Sequence, residues 1–192
     1  MPRSKRTAPA AALFFPGAGS SSTNPSLVAI EAALAPLPVR RADFPYRKEG
    51  RRAPDRAPKL LACVVDEAED LVAEAGVAPG SLVLGGRSMG GRMCSMAVAD
   101  GLPAAALVLI AYPLHPPGKP ENLRIEHLPR LKVPCLFISG TKDPFGSPAE
   151  LESHTKAIPG PVTHVWCEGK GHDLKGQDSF LAESVSTWVR GL

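Results

Sequence analysis

Leu82-Val83-Leu84-Gly85-Gly86-Arg87-Ser88-Met89-Gly90-Gly91-Arg92-Met93 is an apolar run that ends in a glycine-flanked serine and passes at once into a segment of helical character. Its core, Gly86-Arg87-Ser88-Met89-Gly90, has the spacing G-x-S-x-G. That spacing suits a sharp strand-to-helix turn that holds the serine hydroxyl clear of a sheet. Glycine is needed on both sides because the backbone turns tightly and the strand and helix crowd it. The pattern is short enough to arise by chance, but a strand before it and a helix after it are the context it requires. Ser88 is therefore read as a nucleophile; the bland alternative is a glycine-rich turn with an idle serine.

Outward from this stretch, strands and helices alternate. Residues 9–15 read as a buried strand closed by Pro16-Gly17-Ala18-Gly19. Asn24 suits an N-cap and Pro25 a first helical turn, and Pro36 and Pro38 end that helix. Val39 to Phe44 is short and β-like, and Pro45 to Pro58 reads as a polar surface loop. Lys59 to Ala75 is a helix by its apolar period, stopped by Gly76. Strand 81–84 leads into the serine turn, and helix 91–100 follows it. Further strands are expected at 104–111, 133–139 and 162–167, with helices over 148–157 and around Phe180 to Trp188. Tyr112 to Pro129 is a proline-rich loop. The alternation predicts a three-layer α/β fold: a minimal, mainly parallel six-stranded sheet with helices on both faces and no cap domain. Residues 1–8 read as a basic tail and 9–192 as one domain. Functional loops in such sheets lie at the carboxyl ends of the strands.

A serine hydroxyl is a poor nucleophile at neutral pH and needs a base. Of the five histidines, His164 falls inside a strand, His154 inside a helix, and His127 in a loop at the wrong end of the sheet. His115 follows a strand at the correct end. His172, in Glu168-Gly169-Lys170-Gly171-His172-Asp173, follows the last strand, where the chain order Ser, acid, His puts the base. The acid belongs after the preceding strand, where Asp143 stands in Gly140-Thr141-Lys142-Asp143-Pro144. In isolation Asp143 reads as a turn former beside Pro144; in this order it would accept the imidazole Nδ1 proton. Backbone N–H groups of Met89 and Ala18 are the candidates for an oxyanion hole. Arg87, Tyr112, His115 and Phe145 are candidate pocket residues. Arg87, Arg92, Arg40, Arg41 and Arg47 could hold an anionic group, although structural ion pairs with acids such as Asp43 are the more economical reading.

A rival reading takes Gly17-Ala18-Gly19 followed by Asp43 as a dinucleotide fingerprint, but Ser22 stands where the third glycine is needed. No Gly-Lys-Ser/Thr follows, which excludes a phosphate-binding P-loop. The 192 residues, 44% hydrophobic and 21% charged, describe a globular chain. Of the net charge of +3, Arg3, Lys5 and Arg6 account for much, so no nucleic-acid surface is expected. No apolar run has membrane-spanning length, and no secretory leader is expected. Cys63, Cys94, Cys135 and Cys167 are far apart, which argues against zinc and for reduced thiols in a cytoplasmic protein. No metal or organic cofactor is called for, and the chain is expected to be a monomer or homodimer.

Phe15-Pro16-Gly17-Ala18-Gly19, Asp43-Phe44-Pro45-Tyr46-Arg47, Gly85-Gly86-Arg87-Ser88-Met89-Gly90, Tyr112-Pro113-Leu114-His115 and Phe137-Ile138-Ser139-Gly140 with Asp143 together resemble one group. It is the compact α/β-hydrolases of the dienelactone-hydrolase-like superfamily. Within it, the resemblance points to the small family that includes testis-expressed protein 30 and the hydrolase-like part of a chromatin-complex subunit. It spans most of residues 11–175. It implies a Ser88–Asp143–His172 triad and a sheet without the first two strands of a full hydrolase, and it names no substrate; the order of the triad at three successive strand ends leads to the expectation of a serine hydrolase acting on a small ester or thioester. The chain departs from many hydrolases in having Pro16 where His-Gly is usual, and from dienelactone hydrolases in having serine where a cysteine nucleophile is expected. Some relatives serve as interaction scaffolds, so the alternative function is a non-catalytic hydrolase-fold interaction module.

Overall fold

The computed structural model describes residues 7–192. The basic part of the expected tail, Arg3, Lys5 and Arg6, lies outside the described residues; Thr7 and Ala8 are exposed. The elements run β1 (Ala11–Phe15), α1 (Pro25–Leu34), β2 (Val39–Arg41), α2 (Pro45–Lys48), α3 (Ala57–Ala75), β3 (Leu82–Arg87), α4 (Met89–Ala99), β4 (Ala106–Ile110), β5 (Cys135–Gly140), α5 (Pro148–Thr155), β6 (Val162–Cys167) and α6 (Asp178–Arg190). All six strands are parallel, in the order β2-β1-β3-β4-β5-β6.

That order explains where a site can form. The chain lays down β1, moves outward to β2, then crosses back over β1 to β3 and continues to β6. The loops after β1 and β3 therefore leave the sheet in opposite directions and open a crevice at their carboxyl ends. Strand alternation sorts the side chains into two cores. Ala11, Leu13 and Phe15 face Leu60, Val64 and Leu71 of α3 and Met93 of α4. Ala12 and Phe14 face Leu27 and Ile30 of α1 and Leu181 and Val185 of α6. Burial on both faces is why the four central strands, β1, β3, β4 and β5, read as continuous apolar runs.

The local signals behave as their chemistry requires. Asn24 caps α1 by accepting from the Ser26 N–H. Gly76 ends α3 at φ 63°, its N–H donating to the Val72 carbonyl. Ser147 and Glu150 close a reciprocal capping box on α5. Residues 45–58 depart from the expected surface loop. Pro45 starts the short helix α2, and Tyr46 is fully buried, continuing a stack of Phe15, Phe44 and Tyr46. The polar composition of the segment hid one aromatic anchor that only packing reveals. The second strand is also shorter than expected: it ends at Arg41, the Ala42 N–H makes one last bond to the Phe14 carbonyl at 3.0 Å, and Asp43 and Phe44 continue outside the ladder. No helix among the described residues is long and apolar enough to cross a membrane.

Candidate active site

Ser88 stands between β3 and α4 at φ 47° and ψ −115°. A non-glycine residue rarely adopts that backbone, and it stores roughly 1–3 kcal/mol of strain. The surroundings enforce it. The Ser88 N–H donates to the Ile110 carbonyl at 2.8 Å, and the Arg92 N–H to the Ser88 carbonyl at 3.0 Å. The turn passes so close to the end of β1 that a Cβ on Gly90 would lie 2.6 Å from the Pro16 carbonyl oxygen, and one on Gly86 would collide with Phe15.

Asp143 and His172 come from the loops after β5 and β6. These two loops are joined by a hydrogen bond from the Lys142 N–H to the Lys170 carbonyl at 2.9 Å. The Asp143 carboxylate is shielded from solvent, 1% exposed against 24% for the His172 side chain. It accepts the Phe145 N–H at 2.9 Å, and its two oxygens stand 2.8 and 3.0 Å from His172 Nδ1. An ionised carboxylate can only accept, so Nδ1 carries the proton and Nε2 is left as an acceptor. Nε2 lies 2.8 Å from Ser88 Oγ, in position to receive the hydroxyl hydrogen. The Phe145 ring stacks on the imidazole with centroids 4.0 Å apart, which restricts its tilt.

The loop after β1 passes over the same point. A Cβ on Gly17 would sit 3.5 Å from the Ser88 Cβ. The Ser20 N–H donates to the Gly17 carbonyl, and Tyr46 Oη donates to the Ala18 carbonyl at 2.7 Å. Tyr46 thereby sets the plane of the peptide that follows Ala18. Met89 is the first residue of α4, where a backbone N–H has no partner within the helix. Neither the Ala18 nor the Met89 N–H donates to a protein acceptor among the described residues. Asp43, the acid of the dinucleotide reading, accepts from the Ser22 N–H at 2.7 Å and Ser22 Oγ at 2.8 Å. It clasps the loop and leaves no free carboxylate for a ribose.

A cavity of about 730 Å3 opens over Ser88 and His172. Arg87 and Phe145 line it, and Tyr112 and His115 do not. Ala111, at φ 49°, turns the chain after β4 so that Tyr112 enters the core, where its hydroxyl donates to the Arg124 carbonyl at 2.7 Å. His115 is buried beside α5, with Nδ1 2.9 Å from the Pro116 carbonyl and Nε2 3.5 Å from a Glu150 oxygen. Arg87 is only partly a pocket residue. Its guanidinium donates to Ser26 Oγ at 2.6 Å, to the Asp173 carbonyl at 2.7 Å and, at 3.4 Å, to the His172 carbonyl. Burial pulls its pKa down, and Asp178 and Asp173 partly offset that. It ties the histidine loop to the start of α1. Arg40 pairs with Glu67 and Glu74, and Arg41 with Glu31, as ordinary structural ion pairs. Sequence reasoning missed Arg124, which lines the cavity from the proline-rich loop; no local pattern marks it. Among the described residues, no group of three or more His, Cys, Asp or Glu side chains is placed to hold a metal.

A parallel sheet wrapped by helices, with a strained serine after its third strand and acid and histidine loops after its last two, defines an α/β-hydrolase. The chain belongs to the alpha/beta hydrolase domain family, whose profile matches residues 8–187. Solved structures share the fold. Est1E from Butyrivibrio proteoclasticus superposes with a TM-score of 0.73 at 18% identity, over 97% of this chain and 88% of the other. Dienelactone hydrolase from Anabaena variabilis does so at 0.71 and 21%, over 96% and 87%. An alpha-beta serine hydrolase homologue from Coxiella burnetii gives 0.72 and 16%, over 96% and 88%.

Proposed function

We propose that the protein is a serine hydrolase that cleaves a small carboxylic ester or thioester through an acyl-enzyme. The observation that carries this reading is the His172 ring, bonded on one side to Asp143 and on the other to Ser88 Oγ, both at 2.8 Å. As Ser88 Oγ attacks the substrate carbonyl carbon, its proton passes to His172 Nε2. The carbonyl oxygen becomes an oxyanion facing the Met89 and Ala18 N–H groups. The intermediate collapses by breaking the bond to the leaving oxygen or sulfur, which takes the proton from Nε2. A water then gives one proton to Nε2 while its oxygen attacks the acyl carbon. Cleavage of the acyl–Oγ bond returns that proton to Ser88 and releases the acid. Asp143 keeps the proton on Nδ1 and stabilises the imidazolium throughout.

Within the family, the matching stretches around Pro16, Asp43, Ser88 and Tyr112 favour grouping the chain with testis-expressed protein 30. The four cysteines are free and buried, and burial raises the thiol pKa of Cys63 to about 11 and of Cys135 to about 12. Unreactive reduced thiols of this kind fit a cytoplasmic location. A fluorophosphonate probe is expected to label the protein at Ser88 and to leave the Ser88→Ala variant unlabelled. Folded wild-type protein that resists the probe would overturn the reading.

A further inference from the structure

Two arginines that line the cavity have neither an ion pair nor a well-formed side-chain hydrogen bond among the described residues. Arg92 lies one helical turn beyond Ser88 on α4, about 6 Å along the axis. Arg124 reaches the same cavity from the loop between β4 and β5. Ion pairs among the described residues engage Arg40, Arg41, Lys48, Arg51, Lys59 and Arg130, but neither of these two. Arg92 Nε is buried and has no hydrogen-bond partner among the described residues. The Arg124 guanidinium has one long contact, to the Pro113 carbonyl at 3.5 Å. Two carboxylates line the cavity as well, and neither forms an ion pair with these two arginines, although Asp55 Oδ2 accepts no hydrogen bond among the described residues. Asp55 pairs with Arg51 and Lys59, and Asp173 accepts the Lys175 N–H.

The core beneath the cavity links the segments that carry the two arginines. Tyr112 Oη donates to the Arg124 carbonyl, and the Arg124 N–H donates to the Leu114 carbonyl at 2.8 Å. His127 Nε2 contacts both the Tyr112 hydroxyl and Ser95 Oγ of α4, so the Arg124 backbone is tied to the helix that carries Arg92. Burial and then the neighbouring Arg92 charge both lower the Arg124 pKa.

We propose that Arg92 and Arg124 form a subsite for an anionic oxygen group, a carboxylate or a phosphate, carried by the substrate whose carbonyl sits over Ser88. The subsite rests on the serine-hydrolase reading for its purpose, but not for its ability to bind. The guanidinium pair supplies the fork of donors that such groups accept. Leu60, Met89 and Met93 add apolar lining to the same cavity, which suits a short hydrocarbon spacer. A substrate anchored this way is an ester or thioester of a dicarboxylic acid, or one whose leaving group bears a phosphate.

The test has two arms. In the first, p-nitrophenyl half-esters of succinic, glutaric and adipic acids are compared with their methyl-capped neutral counterparts. Wild type is expected to favour an anionic ester through KM, and Arg92→Met and Arg124→Met are expected to lower kcat/KM for it about 10- to 100-fold. Both variants should lose much less on the neutral esters than on the anionic ones. In the second arm, thermal unfolding of the Ser88→Ala protein is followed with added glutarate or inorganic phosphate. Stabilisation by one of them, lost when Arg92→Met is added, supports the subsite and tells carboxylate from phosphate. Without ligand, Arg92→Met should unfold no lower than its parent, which a purely structural arginine would not allow. The subsite is overturned by equal use of anionic and neutral esters, or by a preference that survives both substitutions. It is equally overturned if neither anion stabilises the protein. If no ester is turned over and the fluorophosphonate fails while glutarate or phosphate still binds through Arg92, the hydrolase reading falls and the subsite stands.

Discussion

Replacing Gly90 by alanine tests whether the serine turn is held by contact with β1. Gly90 is the second residue of α4, and an added Cβ would meet the Phe15 carbonyl oxygen, with the Pro16 oxygen at 2.6 Å and the Phe15 carbonyl carbon at 2.7 Å. All three are backbone atoms of the segment leading to Gly17 and Ala18, so no side chain can rotate away. Restoring ordinary contact requires the loop after β1 and the start of α4 to separate by about 0.5–1 Å, and protein interiors resist such shifts. Two effects oppose each other in stability. Alanine in place of a helical glycine gains about 1 kcal/mol, whereas overpacking costs about 1–3 kcal/mol or somewhat more. Because the clash is with backbone on several sides, the penalty should prevail, giving a net loss of about 1–2 kcal/mol. The catalytic effect should be larger, because a displacement of about 1 Å at a reacting centre can cost about 100-fold in rate. Urea unfolding and kcat on p-nitrophenyl esters read the two quantities. Gly80→Ala is the control, since its nearest neighbour to an added Cβ is Thr7 Oγ1 at 4.0 Å; it should stay within about 0.5 kcal/mol of wild type. If Gly90→Ala matched wild type in both stability and turnover, close packing of the turn on β1 would not be what positions Ser88.

Asp143→Asn is expected to leave the fold intact and lower kcat by about 10,000-fold, since an amide can donate to Nδ1 and favour the wrong imidazole tautomer. A loss below about tenfold in steady-state assays would remove Asp143 from the mechanism. His127 gives a prediction in pH. Burial, followed by the Arg92 charge, depresses its pKa from 6.5 to about 4. Below pH 6.5 the unfolded chain takes up a proton that the folded protein refuses, so stability is fully present above pH 6.5 and declines as the pH falls toward 4, by about 3 kcal/mol at most. Urea unfolding of His127→Gln between pH 7 and 4 should show a shallower decline than wild type. His164, whose pKa burial also lowers, adds the same trend to both proteins and cancels in the comparison. Identical slopes would refute the assignment.

Much of the site was legible in the chain because its members are encoded locally. The four central strands announce themselves by apolar runs, and each site residue stands just beyond the end of a strand. Ser88, Asp143 and His172 could therefore be ordered without coordinates. Other parts had no local signal. Tyr46 sits in a segment whose arginines and prolines read as loop, yet its ring completes an aromatic stack and its hydroxyl sets the Ala18 peptide. Tyr112 and His115 stand at the correct end of a strand, and position alone made them pocket candidates. The turn at Ala111 sends Tyr112 into the core, while His115 packs beside α5.

The sequence by itself determined the alternation of elements, the chemistry available at each strand end and the order of the three residues that meet at the serine. The tertiary structure alone decided which distant segments touch. β1 lies beside β3 although α1, β2, α2 and α3 intervene, so the Ala18 loop stands over Ser88 as a consequence of strand order. Arg87 holds the histidine loop, and Arg92 and Arg124 share one cavity, for the same reason. Periodicity and turn chemistry act between neighbours along the chain, whereas these juxtapositions arise from register and packing between elements far apart in it. The turn at Ser88 belongs to both: its glycines are visible in the sequence, and the backbone of β1 that requires them is visible only in the fold.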